Sequence, residues 1–297
     1  MLTKPELRPE LREVALMWLC ENDATLKAAG VCALGAQHDY AMNTGAHLST
    51  AKNVPGRPCK PELVSPLSVK KRAMNTQEGR AALVHALAHI EFNAINLALD
   101  AIWRFNDMPE NYYLDWLKVA SEEANHFSLL SAHLASVGYS YGDFAGHDSL
   151  WEMVDRTKDD VLARMALVPR TMEARGLDAL PALRAKLAQA GDIKAAEILD
   201  ILLRDEVGHV AIGNYWFNWL CNQRGLEPIT TYQQLAQQYN APKLRPPFNL
   251  DARRKAGFSE VELSNLIEKL NISFMLALAK EVQNIGTNRA STRALGC

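Results

Sequence analysis

Glu123-Ala-Asn-His126 and Glu206-Val-Gly-His209 are the two Glu-x-x-His strings of this 297-residue chain. Residues three apart on a helix share a face about one turn apart, so the Glu and His of each string can reach one metal ion together. A further glutamate stands upstream of each string: Glu91 lies 32 residues before Glu123, and Glu173 lies 33 before Glu206. The set reads as one helix-pair module used twice. A four-helix bundle in which two helices each give a Glu and two each give Glu-x-x-His is the ligand arrangement of a carboxylate-bridged dinuclear metal site.

Charge supports the count. At helical spacing Glu91, Glu123, His126 and Glu206 are flanked by apolar residues such as Ala88, Ile95, Val119, Leu130 and Leu202. Carboxylates on such faces are paired, protonated or metal-bound, because an isolated buried anion is too costly. Four carboxylates and two neutral imidazoles carry four negative charges, which two divalent ions cancel. Oxygen and nitrogen donors without thiolate suit iron or manganese, and the donor set alone does not separate two irons from two manganese ions or a mixed pair. Glu173 follows Arg170 by one turn and precedes Gly176, and Glu152 and Glu197 are the alternatives for its slot. Neither keeps the 33-residue spacing.

An acidic residue precedes each string: Glu122 and Asp205. A metal-bound imidazole commonly donates its second N–H to a carboxylate that fixes its tautomer and orientation. Asp205 and Glu122 can therefore each reach the histidine of the facing helix, the alternative being an exposed helix charge. His85 and His89 sit one turn apart, and His89 is turned away from Glu91, so both are expected to be packed or hydrogen-bonded. Tyr112, Tyr113, Tyr215 and Trp216 could line a pocket or belong to the core.

The helices that must hold these residues are legible. Helical patterns run over about 76–105, 110–137 and 192–222, with breaks at Asp107 to Pro109 and at the Gly- and Asp-rich stretch Gly138 to Ser149. A third bundle helix contains Pro169, which is expected to kink it one turn before Glu173. Arg175 to Asp178 is expected to end it, with a short helix following Pro181. The expected architecture is a single all-α domain over 1–297. Within it, 1–74 is an N-terminal extension with two helices (about 6–20 and 23–37) and a Pro-rich strap, 75–222 is the bundle with one longer crossover, and 223–297 holds a loop and further helices. The last helix opens with Ser259 and Glu262 at capping-box spacing. The segment Leu244 to Asn249 is expected to lie against the bundle as a lid over a substrate chamber, with Arg245 as a fixed cation, or as a structural strap.

Composition narrows the partners. A formal net charge of −2 gives no electrostatic footprint for nucleic acid or an anionic membrane. No apolar run is expected to span a bilayer, and the charged start lacks a signal-peptide core, so the expected location is cytoplasmic. Cys20, Cys32, Cys59, Cys221 and Cys297 are odd in number and scattered, which fits reduced thiols and excludes an iron–sulfur or rubredoxin-like module.

The chain resembles the ferritin-like superfamily of carboxylate-bridged non-haem di-iron proteins. Within it, the chain is most similar to a widespread bacterial family of unknown function. Four stretches carry that likeness: EGRAALVHALAHIEFNAINLALDA (78–101), LRDEVGHV (203–210), GRPCKPELVSP (56–66) and APKLRPPFNLDARRKAGF (241–258). The resemblance covers about 50–260. It implies Glu91, Glu123, His126, Glu173, Glu206 and His209 as ligands to two iron ions in a ferritin-like four-helix bundle. It also implies an O₂-dependent oxidoreductase acting on a small organic substrate, with a reductase partner and a homodimer as further possibilities, and assigns no catalytic residue beyond the ligands. The alternative is a ferroxidase or iron-handling protein. The superfamily also holds tRNA-modifying hydroxylases, a role that the slight negative charge does not support. Ribonucleotide reductase radical subunits carry a tyrosine one turn after the first motif His, where this chain has Leu130. Rubrerythrins carry a Cys-rich module that is absent here, and storage ferritins are much shorter.

Overall fold

The computed structural model describes residues 8–37, 39–70 and 72–268. It is an all-α helical bundle, with no strand among the described residues. Two short helices, α1 (Leu11–Leu19) and α2 (Ala24–Ala36), precede the extended strap and its single 3₁₀ turn (Pro66–Ser68). The long helices α3 (Gln77–Arg104), α4 (Glu110–Ser136) and α8 (Ile193–Gln223) lie within two residues of the boundaries expected from sequence. Their starts have local causes. The Thr76 side chain caps α3 by accepting from the Gly79 N–H, Asp192 caps α8 by accepting from Ala195, and Pro109 ends the break before α4.

Between α4 and α8 the chain differs from expectation. After the short α5 (Ser149–Arg156), helix α6 (Val161–Leu167) passes into a π-helical turn, Val168–Glu173, and directly into α7 (Ala174–Gln189). Arg175 to Asp178 does not end the helix, and Pro181 lies inside α7 rather than before a new helix. The proline at 169 is absorbed by the wider π turn, which relieves the i−4 contact that Pro would otherwise break. Pro169 packs onto Gly213 of α8 so closely that a Cβ there would lie 2.4 Å from the Pro169 Cβ.

The core runs between α3 and α4 and across α4 to α6, α7 and α8. Phe92, Phe127, Leu130, Leu202 and Phe217 are almost fully buried in it, each contributing about 1.5–3 kcal/mol by leaving water. Tyr112, Tyr113 and Trp216 also belong to this core, while Tyr215 is exposed. Trp216 donates its indole N–H to Asp115 Oδ2 at 2.9 Å. A smaller cluster joins α7 and α8 to α10 (Leu250–Lys255) through Leu177, Val210, Ala256 and Phe258. Helix α9 (Pro228–Gln238) packs on α6 and α8.

The N-terminal extension is tied down by buried cations. Arg12 donates to the carbonyls of Ile102 and Trp103 at the end of α3 and to those of Asn43, Thr44 and Ala46. Lys27 donates to Leu19 O, Gly56 O and Asn96 Oδ1. The strap wraps the crossover: Arg57 pairs with Asp148 at 2.6 Å, and Leu63 bridges to Gly146. Beneath the crossover, His89 bonds Tyr141 Oη at 2.8 Å and faces His147 O at 3.1 Å, while His85 accepts from the Gly142 N–H at 2.9 Å. Both histidines are therefore packing and anchoring groups, as their spacing suggested.

Helix α3 meets the length and hydropathy of a membrane span, contrary to the expectation that no run would, yet 78% of its apolar window is buried inside the protein. It also carries buried Glu91, Asn96 and Asp100. Asp100 is held by Arg104 (2.6 Å) and Arg164 (2.5 Å), so this is a core helix that buries polar groups which a lipid-facing helix would not carry. Ser259 and Glu262 form the expected capping box at the start of a helical segment over 260–268. Cys20, Cys32, Cys59 and Cys221 are unbridged thiols, and Cys297 lies outside the described residues.

Candidate metal centre

Helices α3, α4 and α8 each aim one carboxylate or Glu–His pair at a common point. Glu91, Glu123, His126 and Glu206 are all buried, and each offers an atom within 4.8 Å of the others. His209 joins through Glu123, its Nδ1 standing 2.8 Å from Glu123 Oε1 and 3.9 Å from Glu206 Oε2. On the other side, His126 Nδ1 lies 3.2 Å from Glu123 Oε2 and 3.4 Å from Glu91 Oε2. Glu123 therefore faces one imidazole with each of its oxygens.

Glu173 arrives from the π turn. Its carboxyl is buried, neither oxygen has a hydrogen-bond partner among the described residues, and Glu206 and Glu123 are the charges that bear on it most. It lies beside the four-residue set rather than within it. The neighbouring Arg170 side chain points away from Glu173, onto Asn214 Oδ1 at 2.7 Å and Glu262. Glu152 and Glu197 are exposed and take no part.

The outer carboxylates cross between helices as the sequence suggested. Asp205 on α8 receives His126 Nε2 from α4 at 3.1 Å, and Glu122 on α4 receives His209 Nε2 from α8 at 2.8 Å. Each imidazole is thus gripped at Nε2 while its Nδ1 faces the central carboxylates.

Without metal the cluster stores protons. Burial, then the negative charge of Glu123, raises Glu91 well above the usual carboxylate range. Burial and the charges of Glu206 and Glu123 do the same to Glu173, and burial with Glu123 lifts Glu206 to about 7. Burial would also raise Glu123, but the His209 imidazolium and hydrogen bonds from Glu91, His126 and His209 hold it well below its ordinary value. Burial disfavours the charged imidazoles, yet the surrounding carboxylates outweigh it and push His126 up to about 12 and His209 well above its usual value.

The donor set fits metal on two counts. Glu91 Oε2, Glu173 Oε1 and Oε2 and Glu206 Oε2 are buried without hydrogen bonds among the described residues, while His209 Nδ1 and Glu123 Oε1 face only each other, at 2.8 Å. Each such atom left unpaired costs on the order of 1–3 kcal/mol. These orphaned atoms converge on one place and are all oxygen or nitrogen lone-pair donors.

Residues 20–264 match the family model described as a protein of unknown function, DUF455. This chain belongs to the DUF455 family. An uncharacterized protein of Haemophilus influenzae is 50% identical to this DUF455 chain over 223 residues, covering 73% of the chain and 77% of that relative. No solved structure matches the chain. The DUF455 match spans every residue of the cluster, from Glu91 to His209, and the buried cluster can hold a metal ion.

One feature of the DUF455 chain had little signal in the sequence, and another was expected but lies apart from the metal cluster. The first is the π turn, which only Pro169 hinted at. The other is a chamber beneath residues 241–248, lined by Leu244, Arg245 and Pro246 but by none of the six carboxylate and imidazole residues. The 244–249 segment is therefore not a lid on the metal cluster. It closes a separate space.

Proposed function

We propose that this chain is a ferritin-like, non-haem di-iron oxidoreductase that uses O₂ to oxidise a small organic substrate. The observation that carries this reading is Glu123, whose two oxygens each face one imidazole, with Glu91, Glu206 and Glu173 converging on the same buried space. Glu91, Glu123, His126, Glu173, Glu206 and His209 are the residues that would hold the two ions.

When bound, two ferrous ions supply the electrons and open coordination that O₂ activation needs. The chain's own residues do the rest. Asp205 and Glu122 hold His126 and His209 by Nε2, so each presents Nδ1 inward in a fixed tautomer. Val119, Phe127, Leu130, Leu202 and Val210, which flank the ligands at helical spacing, are buried apolar side chains that would keep water from the site. Metal uptake displaces the protons on Glu91, Glu173 and Glu206 and on the two imidazoles, which couples loading to pH. A reductase partner would return electrons between turnovers. Manganese or a mixed pair would use the same residues.

Metal counting tests the centre directly. Protein loaded anaerobically with Fe(II) should hold about two ions per chain, as the paired ligand set requires. Glu123→Ala combined with Glu206→Ala should abolish that binding, and two ions surviving the double change would refute the site. Oxygen uptake then separates the chemistry: the oxidoreductase should oxidise its centre once and stop until given reductant and substrate. Sustained Fe(II) oxidation with mineral growth would make it an iron handler instead.

A further inference from the structure

Between α9, the 241–249 segment, α10 and the helical segment over 260–268 lies a chamber of about 670 Å³. Small-molecule sites occupy roughly 300–1,000 Å³. Three aromatic rings wall it: Tyr232, Phe248 and Phe258.

Four cations line the same space. Arg170 and Arg253 are buried, whereas Lys243 and Arg245 stand exposed on the covering segment. Arg253 is committed to Asp178 by two hydrogen bonds, at 3.0 and 2.6 Å, and its guanidinium lies 5.4 Å from the Phe248 ring and 5.2 Å from Phe258. Arg170 lies 4.9 Å from Phe258 and 5.3 Å from Tyr232, bonds Asn214 and pairs with Glu262. Its Nε is buried and has no partner among the described residues. Four cations against Asp178 and Glu262 leave an excess of two positive charges around an aromatic cavity.

We propose that this chamber binds a small organic carboxylate with a flat apolar body, its ring between Tyr232, Phe248 and Phe258 and its carboxylate on the basic side chains. Guanidinium groups match a planar carboxylate through paired hydrogen bonds, and aromatic rings stacked on arginine extend a flat surface for a ligand ring. Gln233 and Asn265 add amides that can fix its orientation. Arg170 stands three residues before Glu173 in the same π turn, so a ligand held here lies against the segment that aims Glu173. The proposal does not rest on iron, and its test uses metal-free protein, so its outcome is independent of the metal assignment.

Calorimetric titration of the full chain in chelator, with naphthalene-2-carboxylate as the probe and naphthalene-2-carboxamide as its neutral match, tests the site. Saturable binding of one carboxylate per chain is expected, with the amide at least about tenfold weaker, as loss of a charge-assisted contact implies. Lys243→Ala with Arg245→Ala, both on the exposed segment, should weaken the carboxylate by about tenfold while leaving the amide and the helical circular dichroism unchanged. Absence of saturable binding, equal affinity for acid and amide, or indifference to the double substitution would overturn the proposal.

Discussion

The carboxylate cluster should contribute less to the stability of the metal-free protein as pH rises, and replacing Glu206 by Gln should remove that residue's share of the loss. Glu206 is raised from 4.5 to about 7 by burial and the neighbouring Glu123 charge. Above about pH 4.5 the unfolded chain has released this proton while the folded protein keeps it until about pH 7. The folded state then binds more protons, and stability falls with rising pH. At about 1.4 kcal/mol per pH unit the displacement amounts to about 3 kcal/mol, of which about 2 falls between pH 5.5 and 8. Glu91 and Glu173 are raised, and above about pH 6.5 the two imidazoles also hold protons longer in the folded state, so all act with the same sign. Glutamine keeps the shape and cannot ionise. In chelator at pH 8, Glu206→Gln should therefore melt about 6–12 °C above the wild type, scaling about 3 kcal/mol by 2–4 °C per kcal/mol. Near pH 5 the gap should narrow to a few degrees. Saturating Mn(II) or Fe(II) should reverse the order, because the wild type alone keeps the full donor set and gains stability by mass action. Thermal melts at both pH values, with chelator and with metal, give four comparisons. A Gln variant no more stable than wild type at pH 8 without metal would refute the stored-proton account of this cluster.

Two further outcomes follow from the outer contacts. Asp205→Asn and Glu122→Gln should each weaken metal binding by about ten- to a hundredfold with unchanged helical content, since each loosens the grip on an imidazole Nε2; unchanged metal titrations would reduce them to surface charges. Gly213→Ala should cost about 1–3 kcal/mol by overpacking against Pro169 and should disturb Glu173, lowering metal content below two per chain. A normal melt with full metal content would show that the close contact does not position the π turn.

Most of the centre was legible because its information is local. Glu-x-x-His fixes a shared face within one turn, and the 32- and 33-residue intervals fix which helices carry the partners. Even the crossed contacts of Asp205 and Glu122 could be anticipated, since each immediately precedes a ligand pair on a facing helix. The third bundle helix runs past its expected end for a physical reason. Local propensity makes Gly176 and Pro181 breakers, whereas packing of Leu177 and Leu180 into buried surface overrides them, and the kink expected at Pro169 takes the form of a π turn packed on Gly213. The 241–249 segment was expected to cover a chamber and does line one, but the separation of that chamber from the six carboxylate and imidazole residues was hidden, because its walls are spread from Arg170 to Leu266. No spacing rule connects such positions.

The crossing of Asp205 to His126 and Glu122 to His209 joins residues 79 and 87 positions apart in the chain. During synthesis the first helical hairpin emerges with Glu91, Glu123 and His126 already present, but with neither Asp205 to orient His126 nor Glu206 to complete the donor set. Loop closure over so long an interval is slow compared with helix formation. The nascent half-bundle would consequently be a poor metal trap, and capture would wait until the second hairpin docks. A bound metal would then act as a seal on a finished fold, and its removal should loosen the contact between the two hairpins before it unwinds either one.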